Sequence, residues 1–323
     1  MNETIEAHFV IEDAQAGRRL DQVLTELLSV HSRGRVQSWI EAGQVTVNGK
    51  VVAVKQRLWE GDKIDVAVVL AIETEDQGED MPLNIVYADD SVIVINKPAG
   101  LVVHPGAGIR EGTLMNALLY HYPELAHLPR AGIVHRLDKD TTGLMVIART
   151  VEAHTALVEA LQERNVKRTY LAITQGVLRS SGTVETNMGR HPKNRVKMAV
   201  LDEGKHAVTH YHILERLFAH TYVQCDLETG RTHQIRVHMA HLGYSLLGDP
   251  VYGPAQTRMK GLQPETIAAV QGFKRQALHA TLLAFEHPET GEWVEFKAEL
   301  PQDMAELLAI LRKDNPHVPH HST

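Results

Sequence analysis

The chain has 323 residues, of which 43% are hydrophobic and 23% are charged, a length suited to two domains and a composition ordinary for globular proteins. Its single cysteine, Cys225, excludes an intrachain disulfide. The first ten residues lack the basic and apolar regions of a signal peptide, and no apolar run approaches the roughly 18 residues of a membrane span. We therefore expect a soluble cytoplasmic protein.

The charge of the chain is unevenly distributed. The formal net charge is −7, yet residues 71–90 hold seven acidic residues and no Lys or Arg, so 33 basic residues face 33 acidic ones elsewhere. Residues 164–197 carry eight Lys or Arg and one acid, Glu185. Such a basic strip attracts a phosphate backbone, although a solvated face would have the same composition.

Residues 17–70 have the pattern of a small separate domain. Apolar residues at helical spacing predict a first helix: Leu20, Val23, Leu24 and Leu27. A second helix is predicted to begin after Ser32, as N-cap, and to end at Gly43. Asn48-Gly49 predicts a tight hairpin between two strands, and a further strand follows.

The order of these elements, with the segments RLDQVL, SRGRVQSWIEAGQVTVNGK and EGDKIDV, resembles the S4 RNA-binding domain. In that family the helix pair and the following hairpin offer basic side chains to RNA. The resemblance implies that six residues bind RNA here: Arg18, Arg19, Arg33, Arg35, Lys50 and Arg57.

Residues 71–82, AIETEDQGEDMP, combine few apolar residues with a block of acids and a closing proline. This composition predicts a flexible, self-repelling linker. This linker separates the S4-like domain from a large domain (83–312). An N-terminal segment (1–16) precedes the S4-like domain, and a tail expected to be disordered (313–323) follows the large domain. Each tethered domain would raise the effective concentration of the other on RNA.

The large domain opens with an apolar strand at residues 92–95, followed by a turn at residues 96–100 that Pro and Gly favour. The segment NKPAGLVVHP spans this turn. Lys97 and His104 within it are candidates to bind phosphate, and the alternative that they line the turn stays open.

Residues 132–144, GIVHRLDKDTTGL, form the central motif of the chain. Apolar residues predict strands at 133–137 and 144–148, with a polar turn between them. If the chain is extended there, Arg136 and Asp138 point to the same face, and a guanidinium favours the ionised carboxylate that a nucleophile needs. A purely structural ion pair at a turn is the alternative.

The nine residues HRLDKDTTG, at 135–143, resemble the signature of the large-subunit ribosomal RNA pseudouridine synthases, and NKPAGLVVHP is a second match. The resemblance implies that Asp138 is the catalytic residue, with Arg136 beside it. Asp140 has no such role in the signature, and we expect it to satisfy backbone N–H groups of the turn.

A helix is predicted at residues 150–164 and a strand at residues 168–173. Tyr170 on that strand falls where the family places an active-site tyrosine, although a core tyrosine would fit the same position. Lys167 and Arg168 precede it within the basic strip and are predicted to bind RNA.

ETGRTHQIRVH, at residues 228–238, is the third match to the family. A helix is predicted from Ile235 to a stop before Gly243, with Thr232 as its cap. Its positive end and Arg231 would make an anion site for a phosphate or for the catalytic carboxylate. A closing helix is predicted from four apolar residues: Met304, Leu307, Leu308 and Leu311.

The fold expected from these features is α+β, with an S4-like domain joined by an acidic linker to a mixed, mainly antiparallel sheet. The resemblance implies isomerisation of uridine to pseudouridine in large-subunit ribosomal RNA. We expect this reaction to need no cofactor. We also expect the protein to be a monomer whose partner is ribosomal RNA. Asp138 could attack C1′, attack C6 or take the 2′ proton of a flipped uridine, and the sequence does not choose among these.

Two other classes of protein remain to be weighed. His233, His238 and His241 suggest a metal-dependent hydrolase, but only the last two share a helix face and no HExxH spacing occurs. A binding-only RNA protein would need the S4-like domain alone. The set of Asp138, Arg136, Tyr170 and Arg231 argues against it.

Overall fold

The computed structural model describes residues 4–28, 31, 33–69, 77–106, 109–194, 197–254 and 260–314. The described part of the chain forms a four-stranded sheet and a ten-stranded sheet, each with its own hydrophobic core. No helix in these ranges is long and apolar enough to cross a membrane.

The small domain contains six elements: β1 (Thr4–Val10), α1 (Leu20–Leu27), α2 (Arg33–Glu41), β2 (Val45–Val47), β3 (Lys50–Val51) and β4 (Lys63–Val69). Its sheet has the order β1-β4-β2-β3, with antiparallel pairing throughout. Asn48 and Gly49 both have positive φ, 52° and 72°, as a two-residue hairpin turn requires. The predicted helices, hairpin and following strand are thereby confirmed, whereas Ser32 lies outside the described residues.

Strand β1 belongs to the sheet of the small domain although the sequence suggested only an N-terminal segment there. It pairs with β4 along its whole length, from Thr4 opposite Val69 to Val10 opposite Lys63. Its side chains alternate between exposed and partly buried positions, the period-2 pattern of a strand with one covered face.

The acidic segment is bound to the large domain over the residues that the structure describes. Glu79 accepts the N–H of Gly112 with both carboxylate oxygens, at 2.9 and 3.1 Å, and donates its own N–H to the carbonyl of Asn116. The Met81 carbonyl accepts from His121 Nε2 at 2.8 Å. Residues 77–81 are therefore docked on the large domain, residues 70–76 lie outside the described residues, and the flexibility of the linker stays a prediction.

Besides two short 3-10 helices, Pro123–His127 and Pro129–Gly132, the large domain contains ten strands and five α-helices in the described ranges. They are β5 (Ile85–Ala88), β6 (Val92–Lys97), α3 (Leu114–His121), β7 (Thr142–Ala148), α4 (Val151–Gln162), β8 (Lys167–Gln175), β9 (Gly182–Arg190), β10 (Met198–Val200), β11 (Lys205–Arg216), β12 (His220–Leu227), α5 (Gln234–His241), α6 (Pro264–Gly272), β13 (Leu278–Glu286), β14 (Trp293–Lys297) and α7 (Gln302–Lys313).

The large sheet has the order β10-β9-β11-β12-β8-β13-β7-β6-β5, and β14 also pairs with β13. Only the β7–β13 pair is parallel among the described strand pairs. The mixed, mainly antiparallel sheet is therefore confirmed. The two predicted amphipathic helices form as α4 and α7, and the tail from residue 315 lies outside the described residues.

Helices pack on both faces of the large sheet. As a result, nearly every side chain of β6 and β7 is buried. One core cluster joins α3 and α5 to the sheet, including Leu118, Ile235 and Met239. Another joins α4 to the sheet through Ala153 and Leu157. This packing fixes the loops at the ends of β7, β8 and β12 around one cleft.

Candidate active site

Asp138 lies in an irregular loop, residues 133–141, that leads into β7. The strand predicted at residues 133–137 does not form, and Ile133 makes one isolated bridge to Ile147. Two loop carbonyls are instead bound by side chains, since Lys97 Nζ donates to Lys139 O at 2.8 Å and Arg275 Nη1 to Asp140 O at 3.2 Å. These donors come from distant elements.

Two further residues of the central motif, His135 and Gly143, hold this loop and β7 in place. Val146 donates its N–H to His135 Nε2 at 3.1 Å, and burial, with a smaller effect of the Arg168 charge, lowers the pKa of His135 to about 3. Its ring is neutral and free to accept. Gly143 has φ +115°, and a Cβ there would lie 2.2 Å from the Ala280 carbonyl oxygen, so the close approach of β7 and β13 requires glycine.

Lys97 is buried, and its ammonium group is bound by backbone carbonyls. Its side chain is 1% exposed, and Nζ donates to the carbonyls of Pro98, Leu101 and Lys139, each at 2.8 Å. Burial lowers the pKa of Lys97 to about 8, partly opposed by the charges of Asp140 and Asp138. The predicted phosphate contact does not fit this geometry, and the alternative, a lining of the turn, does.

The cation beside Asp138 is Arg236, not Arg136. Arg236 Nη1 donates to Asp138 Oδ2 at 2.8 Å. Arg136 is exposed, and its Nη1 lies 3.5 Å from His104 Nε2. The predicted pairing of Arg136 with Asp138 is therefore wrong, because the partner comes from α5 and not from the same extended segment.

Arg236 is itself held in place by a second carboxylate. Its Nε and Nη2 donate to Asp249 at 2.7 and 2.9 Å, and its guanidinium lies 5.1 Å from the Tyr252 ring centroid. Burial alone would raise the pKa of Asp249, but hydrogen bonds from Arg236 and from two backbone N–H groups leave that pKa lowered. This bidentate pair is pre-organised to present Nη1 to Asp138.

An open cleft of about 530 Å³ brings the four predicted catalytic residues together: Asp138, Tyr170, Arg136 and Arg231 all line it. His104 and Arg168 line it as well, together with Arg130, Arg164, His233 and Arg236. The Asp138 side chain is 16% exposed. A carboxylate at the bottom of an arginine-rich cleft suits a negatively charged substrate.

Tyr170 lies on β8, opposite Cys225 on β12 and Ala280 on β13. Burial raises its pKa to about 12, the Arg168 charge opposes this, and the Asp138 charge adds to it. The cation that acts on Tyr170 is therefore Arg168. The phenol is protonated at neutral pH.

Arg168 is buried in the wall of the cleft, while Lys167 beside it is exposed. Arg168 Nη2 donates to the Glu228 carbonyl at 3.3 Å, and a Cβ at Gly230 would lie 2.5 Å from its Nη1. Burial lowers the pKa of Arg168. Arg168 is thus placed to face a substrate within the cleft, and Lys167 to face solvent outside it.

Arg231 precedes α5, as predicted, but Thr232 does not cap the helix. The N-cap is His233, with φ +58° and no side-chain capping bond. Gln234 orders this turn, because its Oε1 accepts from Arg231 N–H at 3.0 Å and its Nε2 donates to Val208 O at 2.9 Å. Arg231 Nε donates to the His206 carbonyl at 3.0 Å.

Several basic residues of the small domain have internal partners. Arg19 and Arg33 donate to the fully buried Asp21 at 2.7 to 3.0 Å, and Arg18 pairs with Glu26. Arg57 donates to the Gly17 carbonyl, and Arg35 lies over Trp39 and near the His127 carbonyl of the large domain. Lys50 is exposed on the hairpin. Their role in RNA binding stays a prediction.

Two of the three histidines that suggested a metal site, His233 and His238, have other partners. His238 binds two threonine hydroxyls, with Nδ1 at 2.9 Å from Thr209 Oγ1 and Nε2 at 3.0 Å from Thr186 Oγ1. Burial, with a smaller effect of His241, lowers the pKa of His238 to about 4. Within the described residues no group of three His, Cys, Asp or Glu side chains is arranged to hold a metal ion.

Comparison with known families agrees with the positions of these motifs. The sequence profile described as RNA pseudouridylate synthase matches residues 91–241, and the S4 domain profile matches residues 18–64. The first range runs from the start of β6 to the end of α5, and it includes Asp138, Tyr170, Arg231 and Arg236.

Two curated bacterial proteins named ribosomal large subunit pseudouridine synthase D are each 53% identical to the chain. The Xanthomonas campestris pv. campestris protein aligns over 306 residues, 95% of this chain and 92% of its own length. The Pseudomonas aeruginosa protein aligns over 303 residues, 92% of this chain and 93% of its own. The solved structure of human RNA pseudouridylate synthase domain containing 4 matches with a TM-score of 0.56 and 28% identity, over 71% of this chain and 93% of that one.

Proposed function

The chain belongs to the RNA pseudouridylate synthase family, and from this premise we propose that it isomerises specific uridines of large-subunit ribosomal RNA to pseudouridine. The observation that carries the proposal is the Asp138 carboxylate, fixed by Arg236 at 2.8 Å inside an arginine-lined cleft. The names of the two bacterial relatives support large-subunit ribosomal RNA as the substrate.

One carboxylate is enough to begin the reaction. The C1′–N1 bond must break, the uracil must turn, and C5 must bond to C1′ before C5 loses its proton. No cofactor enters these steps. We assign the first step to Asp138, by attack at C1′ or C6 or by removal of the 2′ proton.

The arginines around Asp138 suit a base flipped out of an RNA helix. Flipping costs a few kcal/mol, and charge-assisted contacts to phosphates offset this cost. We assign that role to three cleft arginines, Arg136, Arg164 and Arg231, since each has an exposed or partly exposed side chain. Buried Arg168 faces the flipped nucleotide itself.

The small domain would extend the RNA contact beyond the cleft through Lys50, through Arg18 and Arg19 just before α1, and through Arg33 and Arg35 of α2. The partner would be free ribosomal RNA or an assembly intermediate of the large subunit. We propose that the chain acts on it as a monomer in the cytoplasm.

Mapping of pseudouridines in ribosomal RNA, from cells with and without the gene, tests the proposal. Sites in the large-subunit RNA should be lost with the gene and restored by a plasmid copy, and an Asp138→Asn copy should not restore them. Purified protein that binds large-subunit RNA but forms no pseudouridine would instead indicate a binding-only protein.

A further inference from the structure

His233 has a strained backbone and a side chain that faces the cleft. Its φ of +58° lies in the left-handed region, which non-glycine residues seldom adopt. As N-cap of α5 it makes no side-chain capping bond. Strain of this kind persists where the surrounding structure holds it and often accompanies a functional role.

A short chain of hydrogen bonds orients the His233 ring. Met198 N–H donates to Tyr252 Oη at 2.8 Å, and Tyr252 Oη lies 2.9 Å from His233 Nδ1. The phenol oxygen accepts from Met198, and its own hydrogen can donate to Nδ1. In that tautomer the imidazole proton lies on Nε2, the nitrogen 3.7 Å from Asp138 Oδ1.

Nε2 of His233 lies 3.7 Å from Asp138 Oδ1, while Arg236 holds the other oxygen, Oδ2. The gap exceeds hydrogen-bond length by about 0.7 Å, and such contacts often tighten when substrate binds. Burial lowers the pKa of His233, although the charges of Asp138 and Asp249 raise it and those of Arg236 and Arg136 lower it further. The ring is thus a neutral donor.

We propose that His233 is a positioning residue for the isomerisation, whose Nε2–H binds Asp138 Oδ1 and fixes the rotation of the carboxylate while Tyr252 fixes the ring. This inference rests on the proposed function. A carboxylate oxygen has two lone pairs, so one remains for the reacting atom. The two-point hold by Arg236 and His233 aims that lone pair at the flipped nucleotide.

The test uses the full-length protein and a large-subunit RNA transcript labelled with tritium at C5 of uridine. Wild type, His233→Ala, His233→Gln, Tyr252→Phe and the Gln/Phe double variant are compared for single-turnover tritium release, RNA affinity and melting temperature. Glutamine can place an N–H near the position of Nε2 but has no second ring nitrogen. Phenylalanine keeps the ring over Arg236 and removes the hydroxyl.

We expect His233→Ala to lower the single-turnover rate about 10- to 100-fold, with RNA affinity within about twofold of wild type. His233→Gln should recover most of that loss. Tyr252→Phe should slow the wild-type background several-fold and leave the rate of the His233→Gln background unchanged, because the hydroxyl affects the rate only through Nδ1. Loss of its bond from Met198 N–H should change the melting temperature equally in both backgrounds. A wild-type rate in His233→Ala, or an equal Tyr252→Phe effect in both backgrounds, would overturn the inference. An inactive wild type would instead remove the proposed function.

Discussion

The carboxylate of Asp138 is placed by a residue nearly a hundred positions away. Arg236 forms two hydrogen bonds with Asp249 and one with Asp138, so its orientation does not depend on Asp138. Removing the Asp138 charge therefore leaves a buried cation that still has a partner. Loss of one partner of an isolated buried pair would cost about 3 to 5 kcal/mol, and the Arg236–Asp249 pair avoids this cost.

We therefore expect Asp138→Asn to abolish pseudouridine formation while RNA affinity and melting temperature change little. The substitution keeps the shape of the side chain and removes the charge that the first step needs. Single-turnover tritium release, filter binding and thermal unfolding measure the three properties. Asp140→Asn is the matched control, two residues away in the same loop, and should keep most of the rate. Retention of a tenth of the wild-type rate by Asp138→Asn would rule out the catalytic role.

Tyr170 couples electrostatically to Asp138. The carboxylate charge contributes to the raised pKa of Tyr170, about 12. If Asp138 becomes neutral, by ester formation or by protonation, that contribution vanishes and the phenol becomes more acidic. On the C6 route the ester persists until the C5 proton leaves, so the phenol is more acidic at that stage and Tyr170 can serve in, or relay to, the general base. On the C1′ route, bond formation by C5 displaces Asp138 and restores its charge first.

Tyr170→Phe separates this role from stacking. The ring still offers a face to the flipped uracil, a contribution of about 1 to 3 kcal/mol, so RNA binding should persist. Release of tritium from C5 should fall about 100-fold or more, a general-base contribution. Release at a near wild-type rate would leave Tyr170 as a stacking platform and assign the base to another group or to water.

At the scale of elements, periodicity identified the strands and helices whose contacts are local or whose faces are buried, such as β6, α4 and α7. It failed for residues 133–137, where apolar side chains suggested a strand. The loop is held just beyond this stretch, where Lys97 and Arg275 donate to the carbonyls of Lys139 and Asp140, and no local pattern reports such donors. For the same reason the sequence paired Asp138 with its neighbour Arg136 instead of with Arg236.

Gly143 tests how closely β7 must approach β13. We expect Gly143→Ala to destabilise the large domain by roughly 4 kcal/mol or more, because its Cβ would overlap the Ala280 carbonyl. Gly100→Ala is the control: it has a positive φ of 83° but nothing within 4 Å, and should cost about 1 to 2 kcal/mol. Denaturant unfolding compares the two. Equal losses would mean that only backbone conformation matters at Gly143.

His135 links the loop to β7, and its titration should make stability depend on pH. Its pKa falls from 6.5 to about 3 in the folded chain, so the unfolded chain binds more protons between these values. The contribution of neutral His135 to the free energy of unfolding is fully present well above pH 6.5 and is lost as the pH falls toward 3. Between pH 7.5 and 5.5 the wild type should lose about 1.4 kcal/mol more than His135→Gln, which keeps an acceptor for Val146. Parallel pH profiles in urea unfolding would contradict this assignment.

At the scale of the whole molecule, the resemblance of short segments to two families correctly indicated an S4 domain before a synthase domain, since both family profiles match. Sequence alone could not go further than that order. It could not show that residues 77–81 bind α3 or that residues 4–10 complete the small sheet. Both arrangements depend on partners far along the chain: Gly112, Asn116 and His121 for the first, and β4 for the second. Charge and polarity alone do not distinguish a free acidic segment from a docked one.

These contacts decide how the small domain can be removed. A deletion of residues 1–75 retains Gln77, whose carbonyl accepts from Asn116 Nδ2 at 2.8 Å, and it retains Glu79. The large domain should therefore fold with its acidic segment in place. A deletion that also removed residues 77–82 would expose Gly112 N–H and part of the core, and would confuse loss of stability with loss of RNA contact.

We expect the deletion of residues 1–75 to weaken RNA binding and to flatten its salt dependence, while the single-turnover rate at saturating enzyme is preserved. Each lost phosphate contact should reduce the slope of log affinity against log salt by about 0.7 to 0.9. The rate should persist because Asp138, Tyr170 and Arg236 all belong to the large domain. Titrations from low to high salt, with full-length Lys50→Ala as a single-contact comparison, measure the slope. An unchanged slope would mean that the small domain does not touch RNA, and a collapsed rate would mean that it also shapes the cleft.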